Sequence, residues 1–61
     1  MELKARFLKV YSTLPLGARK EIVLTLDPEG PITWEVAYIE VENDTQLSIK
    51  ILEKLALLGV I

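Results

Sequence analysis

Along the first stretch of the chain the apolar residues return every three or four positions. Leu3, Phe7, Val10, Tyr11 and Leu14 fall on one stripe of an α-helix, which predicts a helix over Glu2 to Leu14. Glu2 and Arg6 stand four apart in the favourable order, and Pro15 disfavours helical geometry at Leu14, so the helix is expected to stop there. Leu16-Gly17-Ala18 reads as a connector. A second helical pattern runs from Gln46 to Leu58, introduced by Asn43-Asp44-Thr45 as stop and N-cap and closed by Gly59. On it Leu47, Ile51, Leu55 and Leu58 form one stripe, which Ile49, Leu52 and Ala56 widen beyond the needs of one small core.

Between these helices the period changes. Lys20 to Leu26 reads KEIVLTL, rich in β-branched residues, and Asp27-Pro28-Glu29-Gly30-Pro31 has the composition of a turn. The pair predicts a β-hairpin. With Leu26 paired near Ile32, one face carries Ile22, Leu24, Leu26, Ile32, Trp34, Val36 and Tyr38, and the other carries Glu21, Thr25, Thr33 and Glu35. That alternation fails after Tyr38, where Glu40 would follow on the apolar face. A second reading fits the same residues: Trp34, Ala37, Tyr38 and Val41 repeat with a helical period, Thr33 can cap a helix beginning at Trp34, and Ile32 with Ala37 can form a hydrophobic staple. Residues 33–42 are therefore either a long second strand or a short strand followed by a helix.

Composition narrows the chemistry. The chain has 61 residues, 51% of them apolar, with no histidine, no cysteine and a net charge of −2. One small domain, 1–61, is expected. Disulfides, thiolate metal sites and the usual general base are absent, so the sequence is read as non-enzymatic and implies no cofactor and no metal. No uncharged stretch approaches the length of a membrane span, and Met1-Glu2-Leu3-Lys4 does not open a signal peptide; a soluble, cytoplasmic protein without membrane association is expected. A chain this short buries little surface, and a mean hydropathy of +0.34 leaves more apolar side chains than one copy can hide. The sequence therefore favours a protein–protein interaction module, homodimeric or docked on another protein, with Ile49, Leu52 and Ala56 as candidate interface residues.

Charge supplies the alternative. The first twenty residues hold Lys4, Arg6, Lys9, Arg19 and Lys20 against Glu2, and the remainder holds eight acids against Lys50 and Lys54. A basic end of this kind can track phosphates, so those five cations are the candidate nucleic-acid contacts, although a pI near 4.9 opposes them. Glu40, Glu42, Asn43 and Asp44 crowd together as oxygen donors for a hard cation, but their spacing matches no calcium loop. Glu35 and Glu40, or Glu40 with Lys50 or Lys54, could serve as acid–base pairs only if a cleft brought them together.

The run from Leu47 to Ile61, LSIKILEKLALLGVI, closes a helix with a leucine pair and a glycine followed by two apolar residues. In this it resembles the end of the recognition helix of winged-helix DNA-binding domains, and the stretch from Gly30-Pro31-Ile32-Thr33 can be laid over the preceding helix of that motif. The resemblance covers about half the chain and implies a DNA-binding regulator. It lacks two parts: no residues follow Ile61 to form a wing, and the corresponding helix offers only Lys50 and Lys54 as cations, so no base-reading residue carries over. The fold expected is α+β: an N-terminal helix, a β-hairpin, and one or two C-terminal helices packed on one face. An all-α, helix-turn-helix-like arrangement is the alternative.

Overall fold

The computed structural model describes residues 2–61. Its order is helix α1 (Leu3–Ser12), a turn of 3₁₀-helix (Leu16–Lys20), strands β1 (Ile22–Leu26) and β2 (Gly30–Thr33), then helices α2 (Trp34–Glu42) and α3 (Gln46–Leu57). This is the α+β class that the sequence predicts. Helix α1 stops two residues before Leu14, because Ser12 and Thr13 turn their hydroxyls back onto the carbonyls of Lys9 and Val10 (2.8 and 2.7 Å) and Pro15 is extended. Lys20 and Glu21 lie outside the strand that the sequence begins at Lys20.

The hairpin register differs from the expected one. Leu24, not Leu26, opposes Ile32, and Leu26 opposes Gly30. Gly30 has a φ of +88°, which lets the chain reverse within Asp27–Glu29 and brings Gly30 and Pro31 into the strand. Pro31 lies opposite Thr25. Having no N–H, it can occupy only a position that donates nothing across the ladder, so Leu24–Ile32 and Leu26–Gly30 are the hydrogen-bonded pairs. A bulge between Ile22 and Leu24 breaks the alternation, leaving Ile22 60% exposed while Leu24 and Ile32 are buried.

Residues 34–42 take the helical reading. The long strand is corrected: Trp34, Val36 and Tyr38 belong to α2, where the Thr33 hydroxyl accepts a hydrogen bond from the Val36 N–H at 3.1 Å. Ile32 and Ala37, flanking that cap, are both in the core. Helix α2 ends with the Asp44 and Thr45 amides reaching back to the carbonyls of Val41 and Glu40 (3.2 and 3.3 Å), Asp44 holding a φ of +50°. Thr45 at once begins α3, its hydroxyl accepting from the Ser48 N–H at 3.1 Å. Helix α3 closes in the same manner at Gly59, with φ +78° and the Val60 amide bonded to the Leu55 carbonyl at 2.9 Å.

The core is Phe7, Tyr11, Leu24, Ile32, Ala37, Val41, Ile51 and Leu55, drawn from α1, α2, α3 and both strands. All four aromatic residues join in one seam between α1 and α2. The ring centroids of Phe7 and Trp34 are 5.9 Å apart, those of Phe7 and Tyr11 5.9 Å, and those of Tyr11 and Tyr38 4.4 Å with planes 9° apart. Both partners advance by four residues, so the two helices run the same way along the seam and the hairpin carries the chain back between them. The accessible surface, 3977 Å², equals the roughly 4,000 Å² of a folded chain of 6.9 kDa. Among the described residues no helix is long and apolar enough to cross a membrane.

Replacing Thr45 with alanine removes the cap of α3 and is expected to cost about 1–2 kcal/mol, measured by thermal or urea unfolding. Gly59→Ala meets no atom within 4 Å yet should cost about 1 kcal/mol from its left-handed backbone alone. A neutral Gly59→Ala would remove the conformational argument.

Candidate interaction surface

Three things bear on the chemistry of this surface: where the cations end up, what holds the acidic residues, and which apolar side chains stay in water. Three of the five N-terminal cations have partners within the protein. Lys4 Nζ donates to both carboxylate oxygens of Asp44, at 3.0 and 3.2 Å, and Arg6 Nη2 donates to the Ile61 main-chain oxygen at 2.5 Å. Arg19 lies over the Tyr11 ring, its guanidinium carbon 4.6 Å from the centroid and its Nε buried without a hydrogen-bond partner. Only Lys9 and Lys20 of the five are both exposed and without a side-chain hydrogen bond.

The acidic cluster is taken up in local structure. Thr45 Oγ1 donates to Glu40 Oε1 at 2.6 Å, the Asn43 amide donates to the Ile39 carbonyl at 2.7 Å, and Asp44 holds Lys4. Among the described residues no three Asp or Glu side chains gather in a geometry that could hold a metal ion. Glu35 is exposed on the first turn of α2, where its charge suits the helix N-terminus.

Two hydrogen-bonded ion pairs and one phenol show shifted ionisation. The hydrogen bond to Asp44 holds the Lys4 ammonium above the usual lysine value, and that from Lys50 (2.6 Å) holds the Glu29 carboxyl below the usual glutamate value. The Tyr38 hydroxyl is pushed up chiefly by the neighbouring Glu42 carboxylate. Tyr38 and Glu42 line an open cleft of about 410 Å³ with Leu8, Tyr11, Ser12 and Arg19. The cleft carries one cation and one anion, and each already has a neighbour: Arg19 its aromatic face, Glu42 its phenol.

Apolar exposure is the distinguishing feature. Leu16, Ile22, Val36, Ile39, Ile49, Leu57, Leu58 and Val60 all stand open to solvent, and four of these eight belong to α3 or the turn that follows it. Of the interface candidates, Ile49 is 56% exposed, whereas Leu52 and Ala56 are half-buried and Leu52 packs on the core. The three share one flank of α3, beside the buried Ser48, Ile51 and Leu55. Leu57 was not singled out by sequence reasoning, yet it is 81% exposed, the most of any large apolar side chain among the described residues. It lies opposite the buried stripe, so a wheel drawn on Ser48, Ile51 and Leu55 would have found it. With Leu26 and the side chains of Lys50, Glu53 and Lys54 it lines a shallow groove of about 280 Å³ between α3 and the hairpin.

Comparison with protein-family models, with curated proteins and with solved structures yields no match to this chain.

The sign of each ionisation effect follows from its direction. Lys4 and Tyr38 are raised above 10.5 and 10.0, so their contribution to stability is complete below those values and is lost as pH climbs through the folded-state value. Glu29 is lowered from 4.5, so its contribution is complete above that value and is lost on acidification. Phenolate absorbance should show a Tyr38 component above 10.0, and Tyr38→Phe should remove it. Glu42→Ala should return it to the ordinary range. An unchanged titration in the Glu42 variant would refute the Glu42 carboxylate as the cause.

Proposed function

We propose that this chain is a non-enzymatic protein–protein interaction module that works as a homodimer. One observation carries the reading: a chain already as compact as a folded monomer of its mass leaves eight large apolar side chains in water among the described residues, half of them on or just beyond α3. Leu16, Ile22, Val36 and Ile39 are spread over the rest of the fold, whereas Leu57, Leu58 and Val60 gather at the end of α3, and gathered apolar surface is the usual mark of a docking face. A second copy is the natural occupant, because symmetric self-association is the commonest assembly of small soluble proteins. The soluble, cytoplasmic setting expected from composition fits this role.

Nucleic-acid binding stands as the second reading. It draws support from α2 and α3, which are joined by only Asn43, Asp44 and Thr45, the helix-turn-helix arrangement that the winged-helix resemblance implies. Against it, Lys4, Arg6 and Arg19 are each engaged by the protein's own groups, and the outer face of α2 presents Glu35 and Glu42. A phosphate-tracking surface needs several free cations side by side.

Size-exclusion chromatography with light scattering tests the first reading. At high micromolar concentration the expected mass is roughly 14 kDa, twice the 6.9 kDa of the chain. Chain mass at every concentration would refute the homodimer. In the same buffers at low salt, a labelled DNA duplex should show no change in anisotropy. Binding that disappears on Lys9→Glu and Lys20→Glu would favour the second reading instead.

A further inference from the structure

The homodimer reading leaves open which face meets which, and the groove beside Leu57 answers that. We propose that two copies pair antiparallel through the solvent face of α3, each placing Leu57 in the other's groove between Leu26 and the stems of Lys50 and Lys54. Lys50, Glu53, Lys54 and Leu57 fall at i, i+3, i+4 and i+7, a continuous outward stripe on the side of α3 away from Ser48, Ile51 and Leu55. The stripe contains both a knob and a hole. Leu57 is the knob, with 81% of its surface in water, and the groove of about 280 Å³ is ample for a leucine side chain.

Charge points to a second copy as the occupant. Lys50 is already held by Glu29 at 2.6 Å, which draws its ammonium toward the hairpin and leaves its methylene stem along the groove. The remaining charges on the stripe are one acid, Glu53, and one base, Lys54. A two-fold axis passing between positions 53 and 54 sets Glu53 against the partner's Lys54 and Lys54 against the partner's Glu53. The same axis sets Leu57 against the partner's Lys50, which is the groove wall. One operator therefore satisfies the knob, the hole and both charges, as an isologous interface requires. The seam spans about two helical turns, so a weak dimer with a micromolar dissociation constant is expected.

The inference rests on the homodimer reading, and the test separates the two. Solution mass is measured against concentration for the wild type, Leu57→Asp, Ile49→Asp, the single reversals Glu53→Lys and Lys54→Glu, and the double variant E53K/K54E. Circular dichroism melting serves as the fold control, which these exposed positions should pass. Leu57→Asp is expected to weaken the dimer at least about tenfold. Each single reversal, which sets like charges together twice, should weaken it about fivefold, and the double variant should return to within about twofold of wild type. Dissociation by Ile49→Asp with a retained dimer in Leu57→Asp would overturn this seam and leave the homodimer standing. A wild type at chain mass throughout would overturn both.

Discussion

Four aromatic rings in one seam hold this protein together. Phe7 and Tyr11 stand one turn apart on α1, Trp34 and Tyr38 one turn apart on α2, and their contacts interleave so that neither helix can slide without breaking two of them. Each ring buries far more surface than an aliphatic side chain, which matters in a chain that can bury only about 60% of its unfolded surface. The seam also dictates the topology. Because the helices run in the same direction, some connection must return the chain from the end of α1 to the start of α2, and the hairpin with its preceding 3₁₀ turn is that connection.

The second constraint is the turn at Asn43, Asp44 and Thr45. Thr45 serves two helices at once: its amide closes α2 on the Glu40 carbonyl, and its hydroxyl opens α3 on the Ser48 amide. With so few residues between the helices, α3 can turn only one face to the core. Ser48, Ile51 and Leu55 occupy that face, and everything opposite is left in water whatever its polarity. The exposure of Leu57 is thus a consequence of how the core was closed. Small domains without disulfides or metals commonly complete their apolar burial by association, and the outer stripe of α3 offers a surface that can do so.

The same economy accounts for the charges. Lys4 reaches Asp44 across forty positions of sequence and ties the first turn of α1 to the α2–α3 turn, and Lys50 reaches Glu29 to tie α3 to the hairpin loop. Exposed pairs of this kind contribute little to stability, typically under about 1 kcal/mol each. They also engage two of the chain's cations, and on α3 they leave one acid, Glu53, beside one base, Lys54.

Much of this was legible in the residues themselves. The three-to-four period of α1 and α3, the caps at Thr33 and Thr45, and the glycine that ends α3 are local signals, set by the geometry of a few neighbouring residues. Thr33 and the run from Trp34 to Val41 also contained the correct helix, but the same run satisfied a strand equally well. The choice between them belonged to packing: both readings put Trp34 and Tyr38 on one side, but the helix sets them one turn apart, the spacing that matches Phe7 and Tyr11 on α1. Register, too, lay beyond the pattern: alternation allowed Leu26 to meet Ile32, and the backbone freedom of Gly30 and the missing amide of Pro31 moved that pairing to Leu24. The candidate surface was legible only in part. A wide apolar arc on the last helix identified Ile49, Leu52 and Ala56, yet which edge of that arc the core consumes depends on where α1, α2 and the hairpin come to rest. Short-range sterics and hydrogen bonds determined the elements from sequence alone, whereas the exposed face of α3 was decided by contacts between residues far apart in the chain, which exist only once the fold has closed.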